Sequence, residues 1–138
     1  MHLKQKKIIL LTAFRGKIKK LIESIKLNVN HLKPQDNWII VLDNLQTDFK
    51  EIQKLSDRII LLNYSGNIGA GNARNYGLNY IIKNKFNDFL LWPIDGDDHL
   101  ISGSRDLVDK AFENEKINII SFGMIKVTKK KSLHFGYN

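Results

Sequence analysis

Lys7-Ile8-Ile9-Leu10-Leu11-Thr12-Ala13 is a short, continuous apolar run, and it is followed by Ile18, Leu21, Ile22 and Ile25 at spacings of i, i+3, i+4 and i+7. The first pattern is that of a strand buried on both faces; the second gives a helix one apolar stripe. The same succession repeats along the chain. A polar stretch around Lys33-Pro34-Gln35-Asp36-Asn37 leads into a second strand, Trp38 to Leu42, and a short helix, Thr47 to Leu55. Arg58 to Leu62 reads as a third strand and Ala70 to Lys83 as a third helix, which offers Ala73, Leu78, Tyr80, Ile81 and Ile82 for packing. Asp88 to Ile94 is a fourth strand, Ser104 to Glu115 a fourth helix and Ile117 to Val127 a fifth strand. Pro93 cannot donate to a sheet ladder, so the fourth strand is expected to end or bulge there.

Strands that alternate with helices of this length pair in parallel through right-handed crossovers. The expected class is therefore α/β, a mostly parallel central sheet with helices on both faces. With 138 residues the chain suits one domain with a real core, spanning 1–138, with 128–138 as a flexible tail.

Composition narrows the function classes. The hydrophobic fraction of 43% and charged fraction of 26% are ordinary for a globular chain. No apolar run approaches the about 20 residues that span a bilayer. The basic start, Met1 to Lys7, precedes an apolar run that is too short for a signal peptide and lacks a small-residue cleavage pattern. The chain has no cysteine, hence no disulfide framework and no thiolate metal site, which fits a reducing, cytoplasmic setting. A net charge of +8 implies affinity for something anionic: nucleic acid, acidic lipid headgroups or a phosphorylated ligand. Lys17, Lys19, Lys20 and Lys26, and Lys126, Lys129, Lys130 and Lys131, fall at helical spacing or near the end, where a solvated face or tail is the simpler account.

Ligands of open α/β sheets bind outside the carboxyl ends of the strands. Those ends are Thr12-Ala13-Phe14-Arg15, Asp43-Asn44, Tyr64-Ser65-Gly66-Asn67-Ile68-Gly69 and Asp95-Gly96-Asp97-Asp98. In the last of these, three carboxylates in four residues repel one another unless solvated or neutralised. Mg²⁺ or Mn²⁺ would neutralise them and leave positions open for phosphate oxygens, with Gly96 allowing a tight turn. The alternative is an acidic turn in which Asp97 or Asp98 caps the next helix. His99 is read as a solvent-facing or packing residue. The glycines of Ser65 to Gly77 would let backbone approach a ligand, and the helix that follows offers N–H groups to an anion. Arg74 could donate to phosphate, to a base carbonyl or to a carboxylate of the acidic cluster, or form an ordinary ion pair. Neither the G-x-G-x-x-G of a dinucleotide-binding domain nor a G-x-x-x-x-G-K-[ST] phosphate loop occurs, which disfavours a Rossmann oxidoreductase and a P-loop NTPase.

In order, four blocks resemble the N-terminal half of the family 2 glycosyltransferases of GT-A fold. Ile8 to Phe14 is similar to the opening strand. Val41-Leu42-Asp43-Asn44-Leu45-Gln46-Thr47-Asp48 resembles V-V-D-D-G-S-T-D, Asn67 to Leu78 resembles N-x-G-x-x-x-A-R-N-x-G-L, and Leu90 to Asp98 resembles the strand ending in D-x-D-D. The resemblance implies that Thr12 and Phe14 flank a nucleobase and that Asp43 accepts a base imide N–H. It further implies that Asn67, Gly69 and Arg74 belong to the nucleotide contacts, that Asp95 holds ribose or donor sugar, and that Asp97 and Asp98 bind Mn²⁺ or Mg²⁺. A carboxylate at position 43 suits uracil, whose N3–H donates, and not cytosine, which presents an acceptor there. The chain departs from the family pattern at Asn44-Leu45-Gln46, at Phe14 where a tyrosine is usual, and at Trp92-Pro93.

The activity implied is metal-dependent, inverting transfer from a UDP-sugar to a glycan or lipid-linked acceptor, in polysaccharide or glycolipid synthesis, with peripheral association at the cytoplasmic membrane face through the basic surface. Family members continue into an acceptor-binding half that supplies the general base, so that base is expected beyond Asn138. An incomplete nucleotide-sugar-binding module is the first alternative. A basic nucleic-acid-binding protein, supported by charge alone, is the second.

Overall fold

A computed structural model describes residues 6–117, together with the backbone of residues 124–127 and 132–135. The elements are β1 (Lys7–Phe14), α1 (Ile18–Asn28) with a 3-10 turn at Val29–His31, β2 (Asn37–Asp43), α2 (Phe49–Gln53), β3 (Ile59–Tyr64), α3 (Ala70–Lys83), β4 (Phe89–Pro93), α4 (Ser104–Ala111), β5 (Met124–Val127) and β6 (Ser132–Phe135). β1 to β4 make one sheet in the order β3-β2-β1-β4 with every neighbouring pair parallel, so the class is α/β as expected. β4 ends at Pro93, where the expected interruption falls.

The chain steps outward from β1 to β2 to β3 and then returns across β1 to β4. Right-handed crossovers put α1 and α2 over one face and, because the direction reverses, α3 over the other. Period-2 alternation then sorts the side chains. Ile9, Leu11, Ile39 and Val41 form a buried cluster with Ala73 and Ile81 of α3. Gly77 brings α3 so close that a Cβ there would be 2.6 Å from Leu11 Cδ1. Residues of the opposite parity, Ile8, Leu10, Trp38, Ile40 and Leu42, are wholly buried as well, and α1 buries Leu21, Ser24, Ile25 and Asn28. A strand buried on both faces is what the unbroken apolar runs of β1 and β2 encode. Ile82, expected to pack, is instead 72% exposed, because the buried stripe of α3 runs through Ala73, Gly77 and Ile81.

At the opposite end of the sheet from the strand carboxyl termini, the Asp36 carboxylate accepts from the amides of Ile8 and Lys33. It also accepts two bonds from the Arg105 guanidinium, at 2.7 and 3.1 Å. Arg105 donates in addition to the Lys6 carbonyl. Both side chains are buried, and their mutual hydrogen bonds offset part of the cost of taking two charges out of water.

The chain divides into two compact units, Met1–Arg105 and Asp106–Asn138. α4 begins at Ser104, before that division, and stops at Ala111, short of the expected Glu115. The Asn114 side chain accepts from the Lys116 amide, and a short polar side chain that bonds nearby backbone competes with continued helix. The expected fifth strand is present only as β5 among the described residues, and it pairs antiparallel with β6 rather than joining the parallel sheet. Only residues 128–131 connect them, enough for a hairpin and too few for a parallel crossover. β6 falls in the segment expected to be a tail, where Ser132-Leu133-His134-Phe135 alternates polar and apolar residues. Among the described residues, no helix is long and apolar enough to cross a membrane.

Candidate functional site

The strand order has a switch point. The connection from β1 leads to β2 on one side, while β4 is added on the other, so the carboxyl ends of β1 and β4 border the crevice where open α/β sheets take ligands. The acidic segment leaves β4 at that point. Ile94 donates its N–H to the Leu11 carbonyl at 3.0 Å, one residue beyond the strand. Its own carbonyl accepts from Thr12 Oγ1 at 2.8 Å, and that hydroxyl in turn accepts from Trp38 Nε1 at 2.9 Å. Thr12 is fully buried, and its hydroxyl is a strut between β2, β1 and the start of the acidic segment. The Asp98 amide donates to the Asp95 carbonyl at 3.1 Å, closing the four residues into a turn.

One carboxylate oxygen from each of Asp95, Asp97 and Asp98 lies within 4.8 Å of the others, and all three side chains are exposed. Ligand oxygens on one Mg²⁺ stand about 3 Å apart when adjacent and about 4 Å when opposite, given bonds of about 2.1 Å. Small rotations of exposed side chains would close the difference, so the three residues could hold a divalent cation. The Asp98 carboxyl titrates above the usual aspartate range, first because partial burial disfavours its charge and then because Asp95 and Asp97 repel it. Gly96 has no positive φ and is not needed for an unusual turn, in contrast to the sequence expectation. It is needed for space: a Cβ there would lie 2.6 Å from Phe14 Cδ2.

The glycine-rich loop is held from β2. Gly69, the residue before α3, has φ 151° and ψ 141°, a backbone conformation that a side chain would strain. Its N–H donates to Asp43 Oδ2 at 3.1 Å, while Asp43 Oδ1 accepts from Asn44 Nδ2 at 2.7 Å. Asn44, itself left-handed at φ 54°, accepts the Gly66 amide at 3.0 Å. The Asn67 carbonyl accepts from the Tyr64 hydroxyl and from Asn72 Nδ2. One turn into α3, Arg74 Nη2 meets Asp95 Oδ1 at 3.0 Å, so of the partners open to Arg74 the structure selects a carboxylate of the acidic cluster.

The expected site residues thus separate into two groups. Asn67, Asp95, Asp97 and Asp98 are exposed at the carboxyl edge, and Arg74 and Gly69 are half-buried beside them. Thr12, Phe14 and Asp43 lie beneath: Phe14 is 9% exposed with its ring between Gly16 and Gly96, and Asp43 is 2% exposed with its carboxylate turned to the loop's own donors. Two residues of this support escape a reading of the sequence. Trp38 looks like any core aromatic. Asn28 shares the buried stripe of Leu21 and Ile25, and a polar residue at that position of an apolar stripe was the one available signal.

Compared with known protein families and with curated proteins, the sequence matches none.

Proposed function

We propose that this chain is the nucleotide-sugar-binding half of a metal-dependent glycosyltransferase of the family 2 type. The observation that carries the reading is the Arg74–Asp95 contact, which links the glycine-rich loop and α3 to a three-carboxylate turn at the switch point of a parallel sheet. A donor diphosphate needs both components. Backbone N–H groups at a helix start and a guanidinium take phosphate oxygens, and carboxylates hold the cation that these oxygens share. The donor is a UDP-sugar and the acceptor a hydroxyl of a glycan or lipid-linked saccharide, with the basic surface available to an anionic membrane face.

In the transfer, the bond from the anomeric carbon to the diphosphate oxygen breaks as the acceptor oxygen bonds to that carbon from the opposite side, and the acceptor proton passes to a general base. Mn²⁺ or Mg²⁺, when bound, supplies Lewis-acid stabilisation of the departing diphosphate. Asp97 and Asp98 would be the ligands, Arg74 and free N–H groups at the start of α3 would orient the phosphates, and Asp95 would serve ribose or sugar hydroxyls. Binding is the part of this activity assigned to these residues; the same site would serve a binding module without turnover.

Calorimetric titration with UDP, with and without Mn²⁺, tests the reading. UDP is expected to bind only with Mn²⁺ present, and Asp97→Asn to abolish that binding with the circular dichroism spectrum unchanged. Metal-stimulated UDP affinity that survives in Asp97→Asn would remove the acidic turn from the site.

A further inference from the structure

Asp43, the last residue of β2, is buried with both carboxylate oxygens engaged. Oδ1 accepts from Asn44 Nδ2 at 2.7 Å and Oδ2 from the Gly69 amide at 3.1 Å. Asn44 extends the link, its own Oδ1 accepting the Gly66 amide at 3.0 Å, while its backbone N–H donates to the Tyr64 carbonyl at 2.8 Å. Two consecutive side chains at the end of β2 thus clasp the glycine-rich loop at Gly66 and at Gly69, the second immediately before α3. The residue types suit the parts. An ionised carboxylate only accepts, so it takes a donor at each oxygen; a carboxamide donates to Asp43 and accepts from Gly66 at once. An aspartate at position 44 would have no hydrogen to give Asp43 and would set a second negative charge against it. Asparagine at 44, where the chain departs from the pattern it otherwise resembles, is what covers Asp43 Oδ1.

We infer that Asp43 is a positioning residue of the glycine-rich loop and leaves the choice of nucleobase to other groups. The inference rests on the functional reading above, since the loop it holds is the one assigned to the donor. Each carboxylate oxygen has a second lone pair. A base imide N–H would nevertheless have to reach a buried side chain past Asn44 and the loop, and displacing either donor would undo the clasp. Asp43 acts through Gly69, whose φ of 151° is a conformation that a side chain would strain and from which α3 begins. Its effect therefore falls on the loop, and so on any nucleotide the loop takes, whatever the base.

The test is calorimetric titration with UDP and with CDP, each in the presence of Mn²⁺, of the native chain, Asp43→Asn, Asn44→Ala and Ile52→Val. The two nucleotides differ at the base edge, where uracil N3–H donates and cytosine N3 accepts. Asp43→Asn keeps the shape but turns one acceptor into a donor, so one link of the clasp must break. Asn44→Ala frees Gly66 at an exposed position, and carries the test if Asp43→Asn proves too disruptive to fold. Ile52→Val, a core truncation in α2, controls for general destabilisation. Both clasp variants are expected to weaken UDP and CDP by the same factor, about tenfold, the effect of one lost hydrogen bond to a charged group. Ile52→Val should leave both affinities at the native value. A loss of UDP affinity in Asp43→Asn with CDP affinity unmoved or raised would make Asp43 the reader of the base, and would overturn the inference while the donor site stands. Native affinities in both clasp variants would overturn it too, since the clasp would then serve stability alone. A native chain that binds neither nucleotide would instead overturn the functional reading, and this inference with it.

Discussion

The Phe14 ring lies directly under Gly96, at a separation that leaves no room for a Cβ at position 96: the added atom would be 2.6 Å from Cδ2 and 3.3 Å from Cε2. The end of β1 and the acidic turn are thus packed against each other through a glycine. Gly96→Ala should lose about 1–3 kcal/mol of stability, the usual cost of forcing an extra carbon into a packed contact. Urea unfolding would measure it, and Phe14→Leu in the same chain should recover part of the loss. If the midpoint of Gly96→Ala equals that of the native chain, the turn yields freely and the contact does not hold it.

The Asp36–Arg105 pair closes the other end of the sheet, and Asp36 also takes the Ile8 and Lys33 amides. Removing one partner leaves the other charge buried without compensation, which costs about 3–5 kcal/mol. Arg105→Leu should therefore destabilise the chain by that amount in denaturant titration. A loss below about 1 kcal/mol would mean that water reaches Asp36 once the guanidinium is gone.

Stability should depend on pH through Asp98. Its carboxyl is raised above the usual aspartate range by burial and by Asp95 and Asp97, so the native state binds the proton more tightly than the unfolded chain does. With more protons bound in the native state, stability falls as pH rises. The contribution is fully present below the unfolded aspartate value and is lost as pH climbs through the raised native value. Asp98→Asn should accordingly raise the melting temperature near neutral pH in chelator-treated buffer and flatten the acid branch of the stability profile. A variant that melts lower than the native chain under those conditions would show that repulsion in the turn is already relieved.

Arg74 offers a separation of stability from binding. Its ion pair with Asp95 joins side chains that are 41% and 62% exposed, and pairs of that kind contribute at most about 1 kcal/mol. Arg74→Ala should leave the unfolding midpoint within that margin while weakening Mn²⁺-dependent UDP binding markedly. Comparable losses in both assays would make Arg74 a structural residue of α3.

The alternation of strand and helix and the buried character of β1 and β2 were legible in residues 7–94, because apolar periodicity is a local property and survives in any context. Element ends were less so. α4 gives way after Ala111 to turns closed by the Glu113 and Asn114 amides, and the exposure of Ile82 depends on which stripe of α3 meets the sheet. At the candidate site, the acidic turn and Arg74 stand out in the sequence because their chemistry is written in side-chain types.

Tertiary structure alone decided the order β3-β2-β1-β4, and with it that the acidic turn leaves the sheet at the switch point. It alone made Thr12, expected beside a nucleobase, a strut, directed Asp43 to the Gly69 amide and brought Asn28 beneath Asp98 and Leu100. The reason is physical. Periodicity reports which face of an element is apolar, but not which neighbour covers it, and the hydrogen bonds that anchor this site join residues 26 to 82 positions apart, a separation that only chain topology can close.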